Sequence, residues 1–177
     1  MATNARYENN AASGNATQIN GPVGALVQMT ITIGKTVAEG MRRFAAKISV
    51  CDTRLRALAD RVYLTSSILS DLFKELTENG NELPEKVPRQ LEDIIRACEA
   101  TFRRVLERIT GMASALHSRQ KEKVELPQET LDKLLGWIHV VELEIQDHKA
   151  NLHIQLITFT FALQHGHVRY SCTPNID

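Results

Sequence analysis

The spacing of apolar positions along the chain predicts long amphipathic helices. The clearest run covers 131–163, where apolar side chains and one histidine follow one another at steps of three or four, the period of one helical face. At 1.5 Å per residue this helix would be about 50 Å long, so other helices must lie alongside to cover its apolar face. The members of this face are Leu131, Leu134, Ile138, Val141, Ile145, His148, Leu152, Leu156, Phe159 and Leu163.

Two earlier runs predict helices of the same kind. One begins at Ser49 or Asp52, either of which can cap it, and ends at Asn79, because the following glycine tolerates the left-handed cap conformation. The other begins near Pro88 after a loop over 80–88, and Gly111 is expected to bend or end it. Residues 113–123 then form either a connection or a short fifth helix. The predicted buried positions are Leu55, Leu58, Val62, Thr65, Leu69, Leu72 and Leu76, then Leu91, Ile95, Cys98, Phe102, Val105, Ile109, Met112 and Leu116.

The first apolar segment, over 23–47, fits two patterns. Met29, Ile31 and Ile33 alternate as in a strand, whereas steps of three and four from residue 23 fit a helix. We predict a helix because the chain offers no partner strand, with Gly34 and Gly40 each costing about 1 kcal/mol relative to alanine. The Gly-Lys-Thr sequence at 34–36 resembles the end of a phosphate-binding loop, but position 29 is methionine where that motif has glycine.

These patterns predict an all-α fold, an antiparallel helical bundle of four to five helices with a long C-terminal helix. Residues 1–21 are rich in Asn, Ala, Ser and Gly, and we expect a flexible N-terminal tail because they offer little apolar surface to bury. The bundle domain is predicted over 22–165. Gly166 is expected to end the last helix, so that 166–177 form a C-terminal tail.

The composition narrows the classes of partner. Lysine plus arginine equal aspartate plus glutamate at 21 each, which argues against nucleic acid, because phosphate binding normally needs a basic surplus. Three cysteines at irregular spacing suit a reducing compartment, with Cys98 expected in the core. No signal peptide or membrane span is visible. We expect a cytoplasmic protein, and peripheral attachment to membranes stays open.

The polar residues give no pattern typical of catalysis. The histidines include no pair four apart, and the nearest approach to a metal site is His165 and His167 with Cys172, which lack acidic partners. His148 and Gln155 lie beside the apolar face, where hydrogen-bonded core or edge groups are expected. We therefore predict no catalytic, cofactor or metal site, no cofactor, and no enzymatic activity.

The first helix and one arginine cluster are the candidate contact sites. The helix either closes the core or leaves the bundle to lie in a bilayer interface or on a protein partner, and its cations suit anionic head groups. The arginine cluster is either a solvated face or a basic patch for anionic lipid or a partner. The membrane or partner candidates are Val23, Leu26, Val27, Ile31, Ile33, Lys35, Arg42, Arg43 and Lys47, and the basic-patch candidates are Arg103, Arg104 and Arg108.

Several segments of the sequence resemble a known group of fungal domains. The stretches 55–76 and 149–156, together with a third helix that carries Cys98 and Phe102, are similar to the HeLo and HeLo-like N-terminal helical domains of STAND (NOD-like) receptors and related modular fungal proteins. The resemblance implies a helical signalling module of programmed cell death, acting on membranes through its first helix or relaying oligomerisation.

The expected function is therefore a non-enzymatic signalling module of this type, with membrane engagement by residues 23–47. The alternative is a scaffold domain that forms homo-oligomers or binds a partner helix and has no lipid role. Both alternatives include a protein partner or self-association, and an anionic membrane is a partner in the first alone. Two departures from the group favour the interaction module. A polar tail precedes the first helix, and no nucleotide-binding or amyloid-forming region is seen after residue 165.

Overall fold

The chain folds into an all-α bundle, as predicted. The computed structural model describes residues 23–79, 86–116 and 124–170, and these contain four helices. At 43 residues the last helix is about 64 Å long. The helices are α1 (Gly24–Ala45), α2 (Asp52–Asn79), α3 (Lys86–Leu116) and α4 (Gln128–Tyr170).

Consecutive helices form two antiparallel hairpins, α1–α2 and α3–α4. In the first hairpin Arg42 of α1 contacts Asp60 of α2 at 2.7 Å. Gly34, which precedes Arg42 on α1, approaches Ser66, which follows Asp60 on α2, so the two helices run in opposite directions. Each of α1 and α4 packs against both α2 and α3, so α1 and α4 occupy diagonal positions. The contacts that give the antiparallel direction in the second hairpin are Thr101 with His148 and Arg104 with Glu144.

The faces that the sequence pattern selects on α2, α3 and α4 are the faces that the structure buries. Every predicted position on α2 is buried, and Cys98 on α3 is fully buried, as expected. Burial raises the pKa of the Cys98 thiol to about 12, which is typical of a core thiol. The buried members of the α4 face are Leu134, Ile138, Val141, Ile145, Leu152 and Phe159, and Leu131, His148 and Leu156 lie half-buried at its edges.

The first helix is held between α2 and α3 by a close approach at Gly34. A Cβ atom at this position would lie 2.7 Å from Cε2 of Phe102 and would collide with the Ser66 hydroxyl. Ser66 is itself buried and donates to the Val62 carbonyl at 2.9 Å. The low helix propensity of glycine at position 34 is therefore offset by a helix contact that only glycine permits.

The connection between α1 and α2 is fixed by a contact that the sequence does not indicate. The Val124 amide donates to the Lys47 carbonyl at 2.9 Å, and the Val124 carbonyl accepts from the Ser49 amide at 3.3 Å. These two hydrogen bonds form a single parallel bridge between Ile48 and Val124. Cys51, directly before α2, has a φ of 69°, a left-handed conformation that a non-glycine residue adopts at some cost. The segment before α4 thus ties the two hairpins together.

The predicted end of the last helix at Gly166 is wrong, and at Gly111, where the sequence predicts a bend or an end, the third helix does not end. Helix α3 continues through Gly111 to Leu116, and α4 continues through Gly166 to Tyr170. An interior glycine costs only about 1 kcal/mol and ends a helix only where the backbone turns left-handed, which no described glycine does. The predicted tail over 1–21 and most of the predicted loop over 80–88 lie outside the described residues, as does much of the possible fifth helix.

We predict that Gly34→Ala lowers the free energy of unfolding by about 1–3 kcal/mol, because overpacking of a dense core has costs of this size. The control is Gly111→Ala, where the added Cβ would meet nothing within 4 Å and should stabilise α3 by about 0.5–1 kcal/mol. Urea unfolding followed by circular dichroism measures both. A Gly34→Ala protein as stable as the original chain would contradict the close packing described here.

Candidate interaction surface

The apolar candidates on α1 face the core. Leu26, Val27 and Ile31 are buried, and Val23 and Ile33 are half-buried against the same cluster. Removing these side chains would therefore destabilise the bundle in addition to weakening any binding to lipid. In this structure α1 is docked, and the apolar face suggested for membrane contact is occupied by α2 and α3.

The candidate cations of residues 23–47 divide into those that pair with a described carboxylate and those that do not. Arg42 binds Asp60 and lies 5.6 Å from the ring centroid of Tyr63, so this side chain helps to hold α1 against α2. Arg43 pairs with Glu39 at 3.0 Å, one turn earlier. Lys35 and Lys47 are exposed and make no ion pair with any described residue.

The three arginines of the predicted basic patch each have a partner. Arg103 donates to Glu99 at 2.6 Å, and Arg104 pairs with Glu144 across the α3–α4 interface. Arg108 lies 5.4 Å from the ring centroid of Trp137, also on α4. Two of the three arginines thus join α3 to α4, and their charge is largely compensated or engaged with a ring.

A second apolar stripe runs along the side of α4 that points away from the core. Its residues recur at the three- and four-residue steps of a heptad repeat, and about half or more of each side chain is exposed. The regular spacing aligns these residues on one side of the helix, whereas the exposed apolar residues of a monomer are usually scattered singly. We call this set the outer stripe: Val140 (52% exposed), Leu143 (56%), Ile154 (57%) and Ile157 (69%), with Phe161 (60%) continuing the same spacing.

The centre of the outer stripe is polar and small. Asp147 and Ala150 occupy the two heptad positions between Leu143 and Ile154, and both are exposed. Asn151, beside them, donates its side-chain amide to Asp147 at 3.3 Å. The outer stripe is therefore two apolar patches, one on either side of a short polar step, and it spans about 32 Å along the helix.

The sequence contains a signal for this surface in its second period of three and four. On an ideal helix, positions 140, 143, 147, 150, 154, 157 and 161 fall on the side opposite the buried residues 138, 141, 145, 152 and 159. The buried set alone satisfies the pattern of one apolar face. The outer stripe is a second period of three and four among the remaining residues of the same helix.

One polar cluster joins α3 to α4 at the edge of the core. The hydroxyl of Thr101 lies 3.0 Å from Nε2 of His148 and 3.4 Å from a carboxylate oxygen of Glu144. Burial lowers the pKa of His148, and Arg104 adds to this, while Asp147 and Glu144 act in the opposite direction. The prediction of a hydrogen-bonded edge group is confirmed for His148, whereas the buried Oε1 of Gln155 has no partner among the described residues.

The described residues contain no group of three or more His, Cys, Asp or Glu side chains that could hold a metal ion. The candidate set of His165, His167 and Cys172 lies outside the described side chains. No helix in the described part of the chain is both long and apolar enough to cross a membrane.

Comparison with known proteins adds no relative. No protein-family model, no curated protein and no solved structure matches this chain.

We predict that stability falls as the pH drops below about 6.5, the ordinary histidine pKa. A lowered pKa in the folded state means that the unfolded chain binds the proton more readily. The contribution of His148 to the free energy of unfolding is therefore complete above that pH and is lost in acid. His148→Gln should flatten the dependence between about pH 7 and pH 5, measured by urea unfolding at each pH. The exposed His139→Gln is the control and should keep the slope of the original chain; an unchanged slope in His148→Gln would contradict the assignment.

Proposed function

We propose that this chain is a non-enzymatic interaction module that associates with a second copy of itself through the outer stripe of α4. The observation that carries the proposal is a second apolar heptad on a helix whose first apolar face is already buried. Helices with such a seam bury it against a partner helix. The resemblance to HeLo-like domains, which implies relayed oligomerisation, supports a signalling role for the association.

The size of the outer stripe argues for a reversible pair. A strip about 32 Å long and one helix wide, about 10 Å, lies below the roughly 800 Å² per partner that a standard interface buries. An obligate dimer needs more apolar area than this. We therefore expect an equilibrium that shifts with protein concentration.

The charges around the outer stripe favour a second copy over a strongly charged partner. The flanking side chains Gln146 and Thr158 are uncharged, and the flanking Glu144 is already paired with Arg104. The whole chain also carries no net charge, so long-range repulsion does not oppose self-association.

We predict that the original chain shifts from monomer toward dimer between roughly 5 and 500 μM, a range suited to a weak interface, when followed by sedimentation velocity. The double variant Leu143→Glu with Ile157→Glu should stay monomeric throughout, because four carboxylates would have to be desolvated in the pair.

The matched control is Leu64→Glu on α2, which removes an exposed leucine of similar accessibility, 46%, from a different helix. It should associate like the original chain. A monomer at every concentration, or equal weakening by the control, would refute association through the outer stripe. Circular dichroism of all variants checks that the bundle remains folded.

Membrane engagement by α1 is a second candidate, favoured by Lys35 on α1 and Lys47 just after it, which are exposed and pair with no carboxylate in the described part of the chain. Anionic head groups attract such cations at about 1 kcal/mol each. Insertion of the apolar face, however, requires that α1 first leave its site between α2 and α3. The extent of lipid binding should then depend on how firmly α1 is docked.

If α1 must be released, Gly34→Ala should increase co-sedimentation with vesicles containing about 30% phosphatidylserine at least several-fold, because it weakens docking by about 1–3 kcal/mol. Gly111→Ala, which leaves the α1 site intact, is the control and should bind as the original chain does. Lipid binding that Gly34→Ala leaves unchanged would exclude release of α1, and binding lost in Lys35→Glu with Lys47→Glu would indicate a surface contact by the docked bundle.

A further inference from the structure

We infer that the two copies pair antiparallel along α4, with the two-fold axis between His148 and Lys149, so that Asp147 and Ala150 meet at the centre. This inference rests on the proposed self-association and adds its direction and register. Its support is the order of apolar, polar and small residues along the outer stripe.

A parallel pair in register is opposed by Asp147. In that arrangement each heptad position faces its own copy, and the two Asp147 carboxylates would face each other within the seam. Like charges brought together with partial loss of water are unfavourable. A parallel pair would also place Ile157 against Ile157 and Val140 against Val140. These apolar contacts do not compensate for the repulsion between the carboxylates, because an antiparallel pair forms apolar contacts of the same kind.

An antiparallel pair can place apolar residues against apolar residues along its whole length. In an antiparallel seam, the two kinds of heptad position alternate across the interface, so paired residues have numbers with a constant sum. With a sum of 297, Val140 faces Ile157 of the second copy and Leu143 faces Ile154. Each apolar patch of the outer stripe then covers the other patch of the second copy.

The same register gives Asp147 a suitable environment. Asp147 faces Ala150 of the second copy, whose methyl group leaves room for water or a polar neighbour. Asn151 of the second copy lies next to that alanine, and its amide, which already donates to Asp147 within its own chain, can donate across the axis. The polar step thus fixes the register, as single polar residues in helical seams do at some cost in affinity.

The ends of the seam are also complementary in size. Position 161, a phenylalanine that is 60% exposed, faces position 136 of the second copy, and Gly136 has open space around it, with nothing within 4 Å of a built Cβ. Beside Gly136 lies a shallow cavity of about 520 Å³ lined by Trp137, Val140 and Arg108. A large ring at one end of the stripe therefore meets a small residue and a concave surface at the other.

Distance measurement between spin labels tests this arrangement. Single cysteines replace Gln146 or Thr160, both exposed on the same flank of the outer stripe, in a chain with Cys51→Asn and Cys172→Ser. Cys98 stays, because it is fully buried and its pKa is raised to about 12. Asparagine suits position 51 because it tolerates the left-handed conformation there.

In the antiparallel pair the two labels at position 146 are separated by about 8 Å along the helix axis and those at position 160 by about 35 Å. We therefore expect the distance at position 160 to exceed that at position 146 by at least about 20 Å, measured at the concentration where sedimentation shows the dimer. Equal short distances would mean a parallel pair and overturn this inference while leaving the proposed self-association intact.

Two long distances in a proven dimer would place the contact elsewhere and overturn the inference as well. A labelled chain that sediments as a monomer at every concentration, like its unlabelled parent, would overturn the proposed function itself. The double variant Leu143→Glu with Ile157→Glu, labelled at position 146, is the control and should give no distance between copies.

Discussion

The packing of α1 against both neighbours at Gly34 is the constraint on which the rest of the structure depends. The Ser66 hydroxyl and the Phe102 ring fill the space that any side chain at position 34 would need. The buried hydroxyls nearby satisfy their hydrogen bonds within their own helices, Thr30 to the Leu26 carbonyl and Ser66 to the Val62 carbonyl. Helix contact here therefore depends on shape and apolar burial, and α1 can approach closely without leaving a polar atom unpaired.

Docking of α1 determines which apolar surface remains available. With α1 seated between α2 and α3, its leucine, valine and isoleucine side chains belong to the core, and the cations left outside give it a polar surface. Helix α4 differs because it carries apolar residues on two opposite sides. The bundle can cover only one of them, so the outer stripe is a direct result of four helices enclosing a single core.

How much of the structure can be predicted from the sequence depends on how far apart in the chain the residues that determine each feature lie. The faces of α2, α3 and α4 follow from residues such as Leu69, Phe102 and Ile145, whose period alone decides burial. The role of Gly34 does not follow, because it depends on residues 32 and 68 positions away in the chain. The outer stripe lies between these cases: its period is present in the sequence, but only the structure shows that the other face of α4 is already occupied.

The polar step at Asp147 explains how an exposed apolar surface can be a selective contact and not a general hazard. A continuous stripe of leucine and isoleucine would pair with many helices in many registers, with little energy difference among them. A carboxylate in the middle penalises each arrangement that buries it against apolar groups or a second carboxylate, while the small Ala150 leaves one arrangement with space for it. In the proposed pair, affinity would be lower as a result, and the difference in free energy between the favoured pair and its competitors would be larger, which is the quantity that specificity requires.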